Sequence, residues 1–155
     1  MKLIRIIAII LVSVSMAFIL ACGEQKTASL EGNEDIAAVI QRLPECYENP
    51  KTVMEIYAED AVFRVQDLTT GKWNEFKGLK EIEDYKKERG KNIRFRKVSL
   101  SIRSIKKEAD KAHVEYNFIG KGVEGKSFDY EWYCSAELVK MGAKWKIKKD
   151  KVPWD

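Results

Sequence analysis

The 155-residue chain is poor in the residues that usually define a site outright. One histidine and three cysteines would all have to converge to make a single four-ligand zinc centre, so a zinc site of the usual kind is not expected. No internal repeat or low-complexity segment is present, so the fold must come from one non-repetitive unit. The longest uncharged apolar run, Ile6 to Ala21, is 16 residues. A membrane-spanning helix needs about 20. What is present is ample for a core: 45% of the residues are hydrophobic and 10% are aromatic, in a length that holds one ordinary domain.

The formal charge of +4 must be divided along the chain. Met1 to Arg5 carries Lys2 and Arg5 and no acid. A charged start, a short apolar run and small residues at its end predict a secretory signal. A retained span is the alternative reading. At its end, Ile19-Leu20-Ala21-Cys22 resembles the lipobox of bacterial lipoproteins, with Leu20 a less usual occupant. That resemblance implies cleavage after residue 21 and acylation of the Cys22 thiol. It also implies anchoring to a bilayer, at the outer membrane or the outer leaflet of the cell membrane. Two or more acyl chains hold stably where one is marginal. The alternative is an ordinary signal with a chance cysteine. Without Lys2 and Arg5, 26 basic residues face 24 acidic ones, and +2 is too weak to argue for nucleic acid. Residues 22–33 are small and polar and read as the lipidated cysteine and a tether, which leaves 34–155 as the domain.

Within that domain Ile36, Val39, Ile40 and Leu43 have helical spacing, with Asn33 as N-cap and Pro44 as the kink or end. Pro50 suits the first turn of a second short helix carrying Val53, Met54, Ile56 and Tyr57. Ala61 to Gln66 predicts a strand, Thr69 to Lys72 a turn, and Trp73 to Phe76 a return strand. Gly78 to Arg89 predicts a third helix, stopped by Gly90. Four period-2 segments follow, joined at Glu108 to Asp110, at Gly120 to Gly125 and at Met141-Gly142. They predict an antiparallel meander with one apolar face. The class is α+β: three N-terminal helices packed into a curved, mostly antiparallel sheet.

The junction Ile56-Tyr57-Ala58-Glu59-Asp60-Ala61-Val62-Phe63 resembles the hallmark of the nuclear transport factor 2-like superfamily, which includes ketosteroid isomerases and polyketide cyclases. Lys77-Gly78-Leu79-Lys80-Glu81-Ile82 resembles that family's third-helix start, and Lys144-Trp145-Lys146-Ile147 its last strand. The resemblance spans about Ile36 to Val152. It implies a cone-shaped α+β barrel around an apolar pocket, and in many members a homodimer through the outer sheet face. Tyr47, Tyr57, Phe63, Trp73, Tyr116, Tyr130 and Trp132 are the candidate pocket lining, unless they merely fill the cone.

In ketosteroid isomerases a carboxylate base follows the hallmark Asp by five residues; here that position is Val65. Asp67 is the substitute candidate, with Tyr57 and Tyr116 beside it in an enzymatic reading. His113 falls on the polar strand face, as do Asp129 and Glu131. Cys46 and Cys134 are either a disulfide or two buried thiols in one core. Eleven Lys/Arg between Lys86 and Lys111, and six between Lys140 and Lys151, suggest one basic face if their strands are adjacent. Nothing in the residues calls for a cofactor or a metal. The reading that results is a membrane-anchored binding or interaction domain, for a small apolar ligand or an envelope protein. A small isomerase, dehydratase or cyclase is the alternative.

Overall fold

The computed structural model describes residues 30–153 except 68, 93 and 125, with the backbone alone at 92, 94–98, 121–124 and 126–130. The predicted leader, Cys22 and most of the predicted tether lie outside the described residues. Helix α1 (Glu34–Gln41) buries Ile36, Ala37 and Ile40, with Glu34 and Asp35 in its first turn. The chain turns at Pro44 into α2 (Glu45–Glu48), which buries Cys46 and Tyr47. A 3-10 turn (Pro50–Thr52) leads into α3 (Val53–Ile56). Strands β1 (Tyr57–Gln66) and β2 (Trp73–Lys77) precede α4 (Gly78–Asn92). Strands β3 (Arg94–Glu108), β4 (Lys111–Glu124), β5 (Lys126–Met141) and β6 (Lys144–Val152) complete one sheet of order β2-β1-β6-β5-β4-β3. Every pairing is antiparallel except β1 with β6.

Three predicted boundaries move. Tyr57 opens β1 rather than closing a helix, because its backbone is extended and pairs with Ile147. The glycines at 120 and 122 lie within β4, opposite Tyr130 and Phe128, because the ladder with β5 satisfies their backbone groups. Gly90 lies inside α4, where a Cβ would collide with the carbonyl oxygen of Tyr47. It is therefore the contact point of α4 with α2, not a stop signal. The turn at Gly142 (φ 64°) is as expected.

Register shifts between Tyr57 and Val62, between Ile102 and Ser104, and between Glu137 and Leu138 mark bulges that bend the sheet around the helices. The last has a further effect. Glu137 pairs with Lys149 and Leu138 with Ile147, so Lys148 is an extra residue in β6. Trp145 and Ile147 face inward before it, and Asp150 and Val152 face inward after it.

Candidate functional site

The concave face of the sheet, covered by the helices, carries an apolar cross-strand row: Phe76, Phe63, Asp150, Ala136, Val114 and Ile105. One carboxylate stands in it. Asp150 is 1% exposed and holds two phenols. Tyr57 Oη donates to Oδ2 at 2.5 Å, and Tyr116 Oη donates to Oδ1 at 2.8 Å. These are short, charge-assisted bonds. Burial, reinforced by the Asp150 charge, pushes both phenol pKa values well above their usual range.

A buried cation stands in the same interior. Lys86, on α4 one turn beyond the buried Ile82, is 1% exposed. Its Nζ donates to Tyr47 Oη at 2.8 Å and lies 4.2 Å and 4.0 Å from the ring centroids of Tyr47 and Phe63. Burial lowers its pKa, and the Asp150 charge opposes that shift. Burial also pushes the Cys46 thiol up to about 12 and raises that of Cys134. Both cysteines are free and buried, the second of the two states that the sequence allowed.

The predicted lining divides accordingly. Tyr47, Tyr57, Phe63 and Tyr116 are interior and buried, and Trp132 is half-buried with its ring 6.2 Å from that of Phe118. Phe63 packs on Tyr85 at 5.3 Å and Phe76 at 6.1 Å. Trp73 is not part of the interior. It pairs with Gln66 on the outer face, under the cations of Arg64 and Lys151. The Tyr130 and Asp129 side chains lie outside the described residues. Val65, at the position where ketosteroid isomerases carry their base, does face inward and is fully buried.

Asp67 is also placed elsewhere. It sits in the β1–β2 turn, where Oδ1 accepts from the Thr69 and Thr70 backbone N–H groups and the backbone N–H donates to Lys72 O. A hydrogen bond from the Thr70 side chain, helped by those from the Thr70 and Thr69 backbone, holds the Asp67 pKa below the usual carboxylate range. It closes a hairpin and does not reach the cone. Tyr57 and Tyr116 are brought together by the fold, but onto Asp150.

Asp150 and Lys86 are the buried charged residues of this interior that periodicity missed. Strict alternation from Trp145 and Ile147 puts position 150 on the outer face; the extra residue at Lys148 reverses it. Val152, apolar on the wrong parity, was the available signal. For Lys86 the signal was its place four residues after Ile82 on the apolar stripe of α4.

The basic residues do not form one face. Strands β4 and β5 separate β3 from β6 and bring Glu115, Glu131 and Glu137 between them. Lys149 pairs with Glu137 at 2.9 Å, and Asn117 donates to Glu131 at 2.6 Å. His113 is on this outer face, as its parity predicts, in line with Lys106 and Glu137. No group of three or more potential metal ligands occurs among the described residues. No described helix is long and apolar enough to cross a membrane.

A bent six-stranded sheet holding three helical regions, with a few polar groups in an otherwise apolar concave interior, is the cone of the nuclear transport factor 2-like fold. Solved structures agree. A nuclear transport factor 2-like protein of Cytophaga hutchinsonii superposes with TM-score 0.61 at 15% identity, over 78% of this chain and 96% of its own. A ketosteroid isomerase-like protein of Erwinia carotovora atroseptica gives 0.63 at 17%, over 77% and 92%. A nuclear transport factor 2-like protein of unknown function in nutrient uptake from Rhodospirillum rubrum gives 0.58 at 18%, over 77% and 97%. At these identities the likeness is one of fold. No protein-family model and no curated relative matches the sequence.

Proposed function

We propose that this protein is an exported lipoprotein, tethered through acylated Cys22, whose cone domain binds rather than transforms its target. One observation carries the second half of that reading. The carboxylate in the described interior, Asp150, has each oxygen engaged by a buried phenol. A general base must have a lone pair within reach of the substrate proton. Here Asp67 is committed to a hairpin turn, and Val65 carries no proton acceptor. The interior serves instead as a rigid polar keystone under a surface that meets a small apolar ligand or an envelope protein.

The enzymatic reading has its own support in the pairing of Tyr57 and Tyr116 on one buried acid, because such a trio can donate to a developing oxyanion. It requires a substrate to displace one of the two phenols. A Tyr116→Phe variant separates the readings. Under the binding role it lowers stability while leaving ligand capture by the folded fraction unchanged. Under the enzymatic role a turnover assay with a steroid enone collapses at unchanged fold. The anchoring half is tested by intact mass of the protein extracted from membranes. The expected species begins at Cys22 and carries a diacylglyceryl group, and Cys22→Ala moves the protein to the aqueous exported fraction. An unmodified N-terminus at another residue overturns the anchor.

A further inference from the structure

We propose that the outer face of the sheet, remote from the cone interior, carries a binding site for a small aromatic acid, centred on Arg103 and Lys151. The site arises from one cross-strand row that crosses all six strands: Glu75, Arg64, Lys151, Ser135, Glu115 and Ser104. The small side chain of Ser135 leaves a dip between longer neighbours. A cleft of about 270 Å³ lies there, walled by Trp73 and Tyr133 and bordered by Arg103, Glu115 and Lys151. That is just below the usual range of ligand sites, which begins at about 300 Å³, and limits the occupant to a small ring compound.

The charges in the cleft are uneven. Arg64 has its counter-ion in Glu75 at 3.5 Å. Arg103 and Lys151 make no ion pair among the described residues. Each rests on an aromatic ring instead: the Arg103 guanidinium 5.0 Å from the centroid of Tyr133, and the Lys151 ammonium 4.8 Å from that of Trp73. The bulge between Ile102 and Ser104 inserts Arg103 as an extra residue in β3, next to the row. Glu115 is the single acid in the lining, and one of its oxygens accepts from Ser104 Oγ at 3.0 Å.

Two cations against one carboxylate select one net negative charge. A carboxylate meets the guanidinium fork and the ammonium with charge-assisted hydrogen bonds. A dianion meets Glu115 as well. Tyr133 is 62% exposed, so its ring is open to stacking by an aryl group. Charge and ring together define an aryl or arylalkyl carboxylate. The site is independent of Asp150 and Lys86, which face the opposite side of the sheet. It therefore stands whether the cone is a binding module or an enzyme.

The test is calorimetric titration of the full chain in detergent with phenylacetate, phenylacetamide and phenyl phosphate at 50 mM and 300 mM salt. Phenylacetate binds, phenylacetamide binds at least tenfold more weakly, and affinity falls with salt. Arg103→Gln and Lys151→Gln each weaken phenylacetate about tenfold, while Lys87→Gln, on exposed α4 surface, changes nothing. Folding of each variant is checked by far-ultraviolet circular dichroism, and Arg103→Lys, which keeps the charge, retains part of the affinity. Equal binding of acid and amide overturns the proposal, as does binding unaffected by either substitution. Preference for phenyl phosphate over phenylacetate overturns the assigned ligand class. A sedimentation profile in which Arg103→Gln dissociates a dimer, with no phenylacetate binding to any form, assigns the cleft to a second copy of the chain and also overturns it.

Discussion

Removing Asp150 should reverse the sign of a second mutation, and that reversal isolates the buried trio from ordinary core damage. Asp150→Ala takes away an acceptor that holds Tyr57 at 2.5 Å and Tyr116 at 2.8 Å, in a site 1% exposed. Each stranded hydroxyl costs about 1–3 kcal/mol, and the small void adds about 1 kcal/mol. Relief from burying the carboxylate returns several kcal/mol of that total. The net expectation is a loss of up to about 4 kcal/mol, read as a lower urea midpoint at pH 7 with unchanged slope. Tyr57→Phe in the parent removes a hydrogen bond to a charged group and costs about 1.5–3 kcal/mol. In the Asp150→Ala background the same change removes only an orphaned hydroxyl, and is neutral or stabilising. The two mutations should therefore couple by about 2 kcal/mol. Additivity within about 0.5 kcal/mol would refute the buried, doubly bonded carboxylate.

Three further outcomes are expected. Gly90→Ala, which normally stabilises a helix by about 1 kcal/mol, should instead lower the melting temperature, because the new methyl meets the Tyr47 carbonyl; a rise in stability would disprove the close approach. Lys86→Met should be relatively most favourable at low pH. The unfolded lysine binds its proton up to its usual pKa and the folded one releases it earlier, so wild-type stability gains on the variant as pH rises from the lowered folded pKa to about 10.5. Urea titrations of both proteins across pH 6–10.5 read the slope, and parallel curves would mean that Lys86 is not desolvated. Cys46 and Cys134 should react with a thiol reagent at pH 8 only after unfolding, since burial lifts both thiols and no disulfide joins them; rapid labelling of the native protein would contradict their placement.

The alternation of Ala112, Val114, Tyr116 and Phe118 against His113, Glu115 and Asn117 was enough to place both faces of β4, because a paired strand has a fixed period of two. The apolar stripe of α1, the break at Pro44 and the turn at Gly142 follow equally from local geometry. The hallmark from Ile56 to Phe63 correctly indicated the fold.

Contacts across the sheet decided the rest. The single extra residue at Lys148 turns Asp150 from a solvent-facing acid in a lysine-rich strand into the acceptor of two buried phenols. Trp73 left the expected lining for a related reason: pairing register, not residue type, set which face it occupies. Lys86 left the surface because α4 docks on α2 at Gly90, which brings its amine over two aromatic rings. The sequence by itself determined the element order and the inward apolar rows, both of which depend on residues near in the chain. Only the tertiary structure decided which charges are buried and which pair of cations is left open. Those outcomes depend on bulges and helix crossings whose partners lie up to 93 residues apart.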